Sequence, residues 1–220
     1  MLKRKSEPRV SLYSFYEKRI FPRLLDTAMR RLNEHRAETL SAARGDVLEI
    51  GFGTGLNLSY YPDGIRSLTA VDPLDDLPTG VAARVEGRVA EAPFPVERHT
   101  LSAEGVLPFE AGRFDTVSTT WTLCSIPDVS AALHEMHRVL AREGRLLFIE
   151  HGRSDAASVA RWQDRLNPLQ RIIGCGCNLN RAIDLLVRGA GFEITQLPRF
   201  VADRTPRILR SMYQGIARAA

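Results

Sequence analysis

Glu49-Ile50-Gly51-Phe52-Gly53-Thr54-Gly55 is the stretch that decides the fold. It leaves the apolar run Val47-Leu48-Glu49-Ile50, which reads as a buried strand, and it is expected to open a helix at Leu56. Three glycines in five residues permit a tight turn and let a ligand approach the backbone closely. The spacing is G-x-G-x-G, and Leu56 stands where the dinucleotide fingerprint G-x-G-x-x-G would place its third glycine, so a pyrophosphate cradle is disfavoured. The bland alternative is an ordinary glycine turn between strand and helix.

On either side of this loop the pattern is one of short apolar runs. Leu68-Thr69-Ala70-Val71 reads as a second strand, Phe114 to Thr120 as a third, and Arg145-Leu146-Leu147-Phe148-Ile149 as a fourth. Between the last two, Val129, Leu133, Met136, Val139 and Leu140 recur at helical spacing. Past Asn180 come a helix from Arg181 to Arg188, a Gly189-Ala190-Gly191 stop, a strand from Phe192 to Leu197 and a final strand near Met212 to Ala217. Strands alternating with helices argue for a Rossmann-like, doubly wound α/β fold. Its sheet is expected to be mostly parallel and seven-stranded, with an antiparallel hairpin at one edge. Before this body, Phe15, Tyr16, Ile20, Leu24, Ala28 and Leu32 predict an amphipathic, kinked helical segment over 11–43. Residues 1–44 thus form a helical extension or lid, and 45–220 the main domain, within a single-domain chain.

The second strand ends at Asp72, followed by Pro73. Ligands of α/β sheets bind beyond the carboxyl ends of the strands, and an acid there can accept both hydroxyls of a ribose. On its own, a strand-end Asp more often caps a turn; one βαβ unit after the glycine loop, ribose binding is the stronger reading.

The chain has 220 residues, 44% apolar and 25% charged, which fits one globular domain and excludes disorder. Its formal charge of +4 is unevenly spread: +6 over residues 1–44, −6 over 45–198 and +4 over 199–220. The basic residues are too interspersed for a nucleic-acid stripe, so no nucleic acid is expected as a partner, while an anionic small molecule or peripheral membrane contact stays open. No run approaches the roughly 20 apolar residues that span a bilayer. Three cysteines, Cys124, Cys175 and Cys177, give no even disulfide framework, which points to a reducing cytoplasm. Their spacing matches no ordinary zinc pattern, and no metal is expected. Cys124 is read as a small buried apolar residue, and Trp162 as helix packing.

Val47 to Gly55, Val71-Asp72, Ser102-Ala-Glu-Gly-Val-Leu-Pro-Phe109, Phe114-Asp115 and His137-Arg-Val-Leu140 together resemble the ordered motifs of class I S-adenosylmethionine-dependent methyltransferases, in the small-molecule branch. The resemblance covers about residues 45 to 151. It implies S-adenosyl-L-methionine as cofactor and S-adenosyl-L-homocysteine as product. Gly51, Gly53 and Gly55 would lie by the methionine half with Glu49 beneath, Asp72 on the ribose, Ala103 and Glu104 beside the adenine, and Thr120 at the cofactor edge. Many relatives carry Asp where this chain has Ser102, so adenine recognition is expected to rest on backbone groups.

Thr120-Trp-Thr-Leu-Cys-Ser-Ile126, Glu150-His151, Gly176-Cys-Asn-Leu-Asn-Arg181 and Tyr213-Gln-Gly-Ile-Ala217 are similar to segments of a narrower group, the alkyl thiol methyltransferases and their bacterial relatives. That implies methyl transfer to a small molecule, a thiol sulfur foremost, with oxygen or nitrogen methylation of a natural product, quinone or lipid headgroup as the alternative. A non-catalytic nucleotide-binding module is the rival from another class. An alcohol or amine acceptor needs a general base, for which His151 is the candidate, against a strand-end histidine that bonds a loop; its neighbour Glu150 could orient the ring or cap a helix. Tyr13 and Tyr16 of the lid, Trp121 as an apolar wall and Arg181 as an anion partner are the candidate substrate contacts.

Overall fold

The computed structural model describes Tyr16, Ile20, Leu25, Thr27 and residues 29–74 and 77–219. Most of the expected 11–43 helical segment, Tyr13 included, lies outside the described residues. A 3-10 turn, Arg30–Leu32, runs into α1 (Asn33–Leu40). Then follow β1 (Asp46–Ile50), β2 (Ser67–Asp72), α2 (Thr79–Ala90), β3 (Val96–Thr100), β4 (Phe114–Thr120), α3 (Val129–Val139), β5 (Leu140–His151), α4 (Ala157–Ile173), α5 (Ile183–Gly189), β6 (Phe192–Gln196), β7 (Arg199–Val201) and β8 (Ser211–Ala219).

The strands form one sheet in the order β3-β2-β1-β4-β5-β8-β6, with the short β7 also paired to β8. Strands β1 to β5 run parallel, while β8 lies antiparallel between β5 and both β6 and β7. The expected doubly wound sheet is therefore present, with eight strands where seven were expected. The eighth arises because the connection from β6 to β8 does not stay a loop: Arg199–Val201 pairs with Ser211–Tyr213.

Val47 to Ile50 are all buried, as a central parallel strand covered on both faces requires. Alternate residues serve opposite layers: Leu48 and Ile50 join Phe114, Met136 and Phe148, whereas Val47 joins Leu68, Val85 and Leu147. α3 buries Val129, Ala132, Leu133, Met136 and Val139 on the first face. Each large apolar chain so buried contributes about 1.5–3 kcal/mol relative to exposure.

No α-helix opens at Leu56. The glycine loop continues into turns and a 3-10 segment, Leu58–Tyr60. The side chains of Asn57 and Tyr61 are drawn inward onto Glu49, and Tyr61, extended ahead of Pro62, ends the segment. Trp162 is 54% exposed on α4 with Arg165 over its ring, rather than packed inside a helix interface.

The strand order reverses on either side of β1, which pairs β2 on one edge and β4 on the other. The carboxyl ends of these three strands, at Ile50, Asp72 and Thr120, open onto one crevice, the place where doubly wound sheets take ligands.

Candidate active site

A cleft of about 380 Å³ fills that crevice, within the range of small-molecule sites. Its floor is the glycine loop. Gly51 has φ +83°, and a Cβ there would meet Thr122 Oγ1 at 2.0 Å. Gly53 has φ +54° with nothing within 4 Å of a built Cβ, so its face toward the cleft is bare. The loop is fastened at two points, the Gly51 amide donating to Val71 O (2.8 Å) and the Gly53 amide to Asp72 Oδ2 (2.7 Å). Asp72 Oδ1 accepts from the Leu74 amide at 2.9 Å. A carboxylate offers about four lone-pair sites, so two remain for a pair of hydroxyls. Burial pushes the Asp72 carboxyl up, opposed by these two backbone donors and by Arg98.

Below the loop, Glu49 is buried on β1 and accepts from Asn57 Nδ2 (2.8 Å) and the Tyr61 hydroxyl (2.9 Å). Desolvation raises its pKa to about 8 against the lowering effect of those hydrogen bonds and of the Arg36 charge. Arg36 is 1% exposed, lines the cleft and donates through Nε to Asn57 Oδ1 at 2.7 Å. Neither Arg36 nor Asn57 was singled out from the sequence. A signal existed for Arg36: it falls on the buried stripe Met29, Leu32, Arg36, Leu40, a charged residue where a helix of this spacing wants an apolar one.

The structure gathers the expected cofactor residues on one wall. Glu49, Gly51, Gly53, Asp72, Ala103, Glu104 and Thr120 all line the cleft, and Thr54, which was not among the expected residues, lines it too. Gly55 stands behind them, its built Cβ 3.0 Å from Phe52. The Glu104 carboxylate turns toward the end of the cleft wall, accepting from the Asp128 amide at 3.0 Å. Thr120 Oγ1 accepts from Asn57 Nδ2 at 3.1 Å.

The opposite wall is built by the loop after β4. Trp121, at φ +53°, and Ser125, Ile126 and Pro127 line it, with Cys175, at φ +48°, from the loop after α4. Leu25 and Met29 also line the cleft, whereas the Tyr16 hydroxyl donates to Ile173 O at 2.7 Å. Glu150 neither orients a ring nor caps a helix: its buried carboxylate accepts the amides of Thr122 (2.9 Å), Leu123 (3.0 Å) and Cys124 (3.4 Å), fixing the loop.

His151 is placed differently from the expectation. It is fully buried behind Trp121, whose ring meets it edge-on at 5.3 Å, and its Nε2 lies 2.9 Å from Cys177 Sγ, away from the cleft lining. Arg181 is likewise not turned to an acid or to the cleft: it precedes α5, and its guanidinium donates to the carbonyls of Leu123 and Pro127. The three sulfur and nitrogen atoms of Cys124, His151 and Cys177 lie within 4.8 Å of one another, a grouping that the sequence spacing, read as giving no metal, did not foretell.

Residues 16–197 match the methyltransferase domain family. The chain belongs to that family. Human thiol S-methyltransferase TMT1A is 30% identical over 173 residues, spanning 78% of this chain and 69% of that protein. Phosphatidylethanolamine N-methyltransferase of Cereibacter sphaeroides is 26% identical, spanning 77% of this chain and 78% of that one. The chain spans 61–69% of the length of the curated thiol methyltransferases it matches. In fold it is similar to the 1,6-didemethyltoxoflavin-N1-methyltransferase of Burkholderia thailandensis, solved with bound S-adenosylhomocysteine (TM-score 0.62, 20% identity, 94% of this chain and 84% of that one). S-adenosylmethionine is the methyl donor of this methyltransferase family, and the bare face of Gly53, the free acceptor sites of Asp72 and the buried Glu49 beneath the loop fit it. Among the described residues no helix is long and apolar enough to cross a membrane.

Proposed function

We propose that this chain transfers the methyl group of S-adenosylmethionine to the sulfur of a small thiol. When bound, the cofactor supplies a methyl group activated on a sulfonium, which leaves by in-line displacement. Asp72 accepts the ribose hydroxyls, Ala103 and the Glu104 backbone flank the adenine, and Glu49 with Arg36 sets the charge at the methionine end. Leu25 and Met29 on the cleft lining support the reading of the N-terminal segment as a cover of the cleft.

The observation that carries the sulfur reading is the make-up of the acceptor wall. Among the described residues lining the cleft there is no histidine or lysine to serve as general base, and Trp121, Ile126 and Pro127 make that wall apolar. The described residues of that wall, Trp121, Ser125, Ile126, Pro127 and Cys175, offer an alcohol or an ammonium group no histidine, lysine or carboxylate to take its proton, the acids Glu49, Asp72 and Glu104 lying on the cofactor side. A thiol with a pKa near 8.5 ionises by itself in useful amount near neutral pH, and an apolar wall excludes water from the displacement. The resemblance to the thiol S-methyltransferases points the same way.

The test is a panel of alkyl thiols, phenols, amines and phosphatidylethanolamine vesicles with labelled S-adenosylmethionine. Thiols should be methylated, with a rate that climbs with pH as thiolate forms. Label appearing only in phenols, amines or lipid would defeat the assignment.

A further inference from the structure

Behind the acceptor wall stands a group of side chains that the proposed transfer does not use. Cys124 comes from the loop after β4, His151 is the last residue of β5, and Cys177 follows α4; they are 2%, 0% and 8% exposed. Their ligand atoms lie within 4.8 Å of one another, and the imidazole presents Nε2 to Cys177 Sγ at 2.9 Å. His151 Nδ1 is buried with no partner among the described residues, so the ring is oriented from its sulfur side.

The backbone of Cys124 is hydrogen-bonded at both its carbonyl and its amide. The Cys124 carbonyl accepts from both the main-chain amide (2.8 Å) and the side chain (3.0 Å) of Asn178, and its amide is bound by Glu150. Arg181 clamps the carbonyl of Leu123 from the other side. Cys175 at φ +48° and Gly176 at φ +91° make two successive left-handed bends that turn Cys177 inward, a strained conformation for a non-glycine residue. A small apolar side chain needs none of this to fill a core, whereas a coordination site needs its ligands fixed by their surroundings.

We propose that Cys124, His151 and Cys177 bind a zinc ion. Two sulfurs and an imidazole are a soft, borderline donor set that suits zinc and excludes calcium and magnesium, which take oxygen ligands. Charge separates divalent from monovalent thiophilic ions. Two thiolates neutralise Zn²⁺, while Cu⁺ would leave a net negative charge in a buried position. Binding displaces the two thiol protons to solvent. Three protein ligands leave a fourth position, and Ser125, whose Oγ is 3.4 Å from Cys124 Sγ, stands between the cluster and the cleft. The ion would pin together the two loops that carry Trp121 and Cys175.

The inference is independent of the acceptor's identity, and its readout is metal. The full chain, purified without chelator from zinc-supplemented cells, should hold about one zinc per chain by elemental analysis, the single site that three such ligands define. The metal-free protein titrated with Co²⁺ should develop thiolate-to-metal charge-transfer absorption and the visible bands of a tetrahedral site. Cys124→Ser and Cys177→Ser should each weaken metal binding by at least the ~10–100-fold that loss of an outer-shell partner costs. Cys175→Ser should keep the metal, since Cys175 is outside the cluster. A well-folded wild-type protein with neither zinc nor Co²⁺ charge-transfer bands would overturn the proposal. So would occupancy by copper alone, or a Cys175→Ser variant that loses the metal as completely as Cys177→Ser.

Discussion

The amide of Gly53 donates to Asp72 Oδ2 over 2.7 Å, so the glycine loop after β1 is tied to the acid that ends β2. Two features that stand 19 residues apart in the chain are one device. The same carboxylate that fastens the loop keeps two lone-pair sites for the proposed ribose contact.

Asp72→Ala therefore removes both a ligand contact and the loop's anchor. S-adenosylhomocysteine binding should weaken by at least the ~1.5–3 kcal/mol of one charge-assisted hydrogen bond. Calorimetric titration of wild type and variant measures it, and an unchanged dissociation constant would remove Asp72 from the site.

Gly51 and Gly53 should both lose stability on substitution by alanine, but with a different balance between folding and binding. Gly51→Ala adds a left-handed non-glycine residue and drives Cβ into Thr122 at 2.0 Å, so it should lower stability by about 1–3 kcal/mol. Gly53→Ala meets no protein atom within 4 Å and should cost only the roughly 1–2 kcal/mol of the αL backbone. Its Cβ occupies the space of the cofactor, however, so binding should suffer more than folding. Urea denaturation beside S-adenosylhomocysteine titration separates the two; equal losses in both assays for both variants would contradict it.

Glu49 should make stability and cofactor affinity depend on pH with opposite signs. Its pKa is about 8 in the folded chain against 4.5 in the unfolded one. Between these values the folded state holds a proton that the unfolded state has lost, so this group's effect is a loss of stability as pH rises, at most about 1.4 kcal/mol per unit. The cofactor is cationic and favours the ionised carboxylate, so S-adenosylmethionine should bind more tightly as pH approaches 8. Glu49→Gln should flatten both profiles, as denaturation and binding measured from pH 5.5 to 8.5 would reveal; a Gln variant that keeps the wild-type slopes assigns them to other groups.

Arg36→Met should also be costly. It leaves Asn57 Oδ1 without its 2.7 Å donor and Glu49 without the neighbouring cation. A stability loss of about 1.5–3 kcal/mol is expected from the lost charged hydrogen bond alone, with weaker S-adenosylhomocysteine binding alongside. A midpoint of urea denaturation equal to that of wild type would show that Arg36 is not part of the buried network.

Much of the fold was legible because its signals are local. β4 was expected at Phe114 to Thr120 and lies there, and α3 was expected from Val129 onward and begins there. β4 is buried along most of its length, and α3 keeps Val129, Leu133, Met136 and Val139 at helical spacing on its buried face. β3 was not placed: Val96–Thr100 is an edge strand with a largely exposed pattern, and Glu97, Arg98 and His99 hide it. α2 is obscured by Gly80 and Gly87, and α4 by Pro168 within it.

That most of the expected cofactor residues share one cleft followed from the sequence for the same reason. A glycine turn and a strand-end acid in adjacent βα units have only one place to meet, the crevice where the strand order reverses. The acceptor side did not. His151 carries the same residues before and after it whether it faces the cleft or lies behind Trp121, and only the pairing of β5 with β4 and β8 sends it behind. Cys177 meets His151 across 26 residues of chain, a proximity that no local spacing encodes. A sheet, its glycine loop and the acid beside it were readable locally, because hydrophobic period and backbone freedom are written residue by residue. The tertiary structure alone decided that two cysteines and a histidine share one buried point, because strand register, a property of the whole sheet, brings them there.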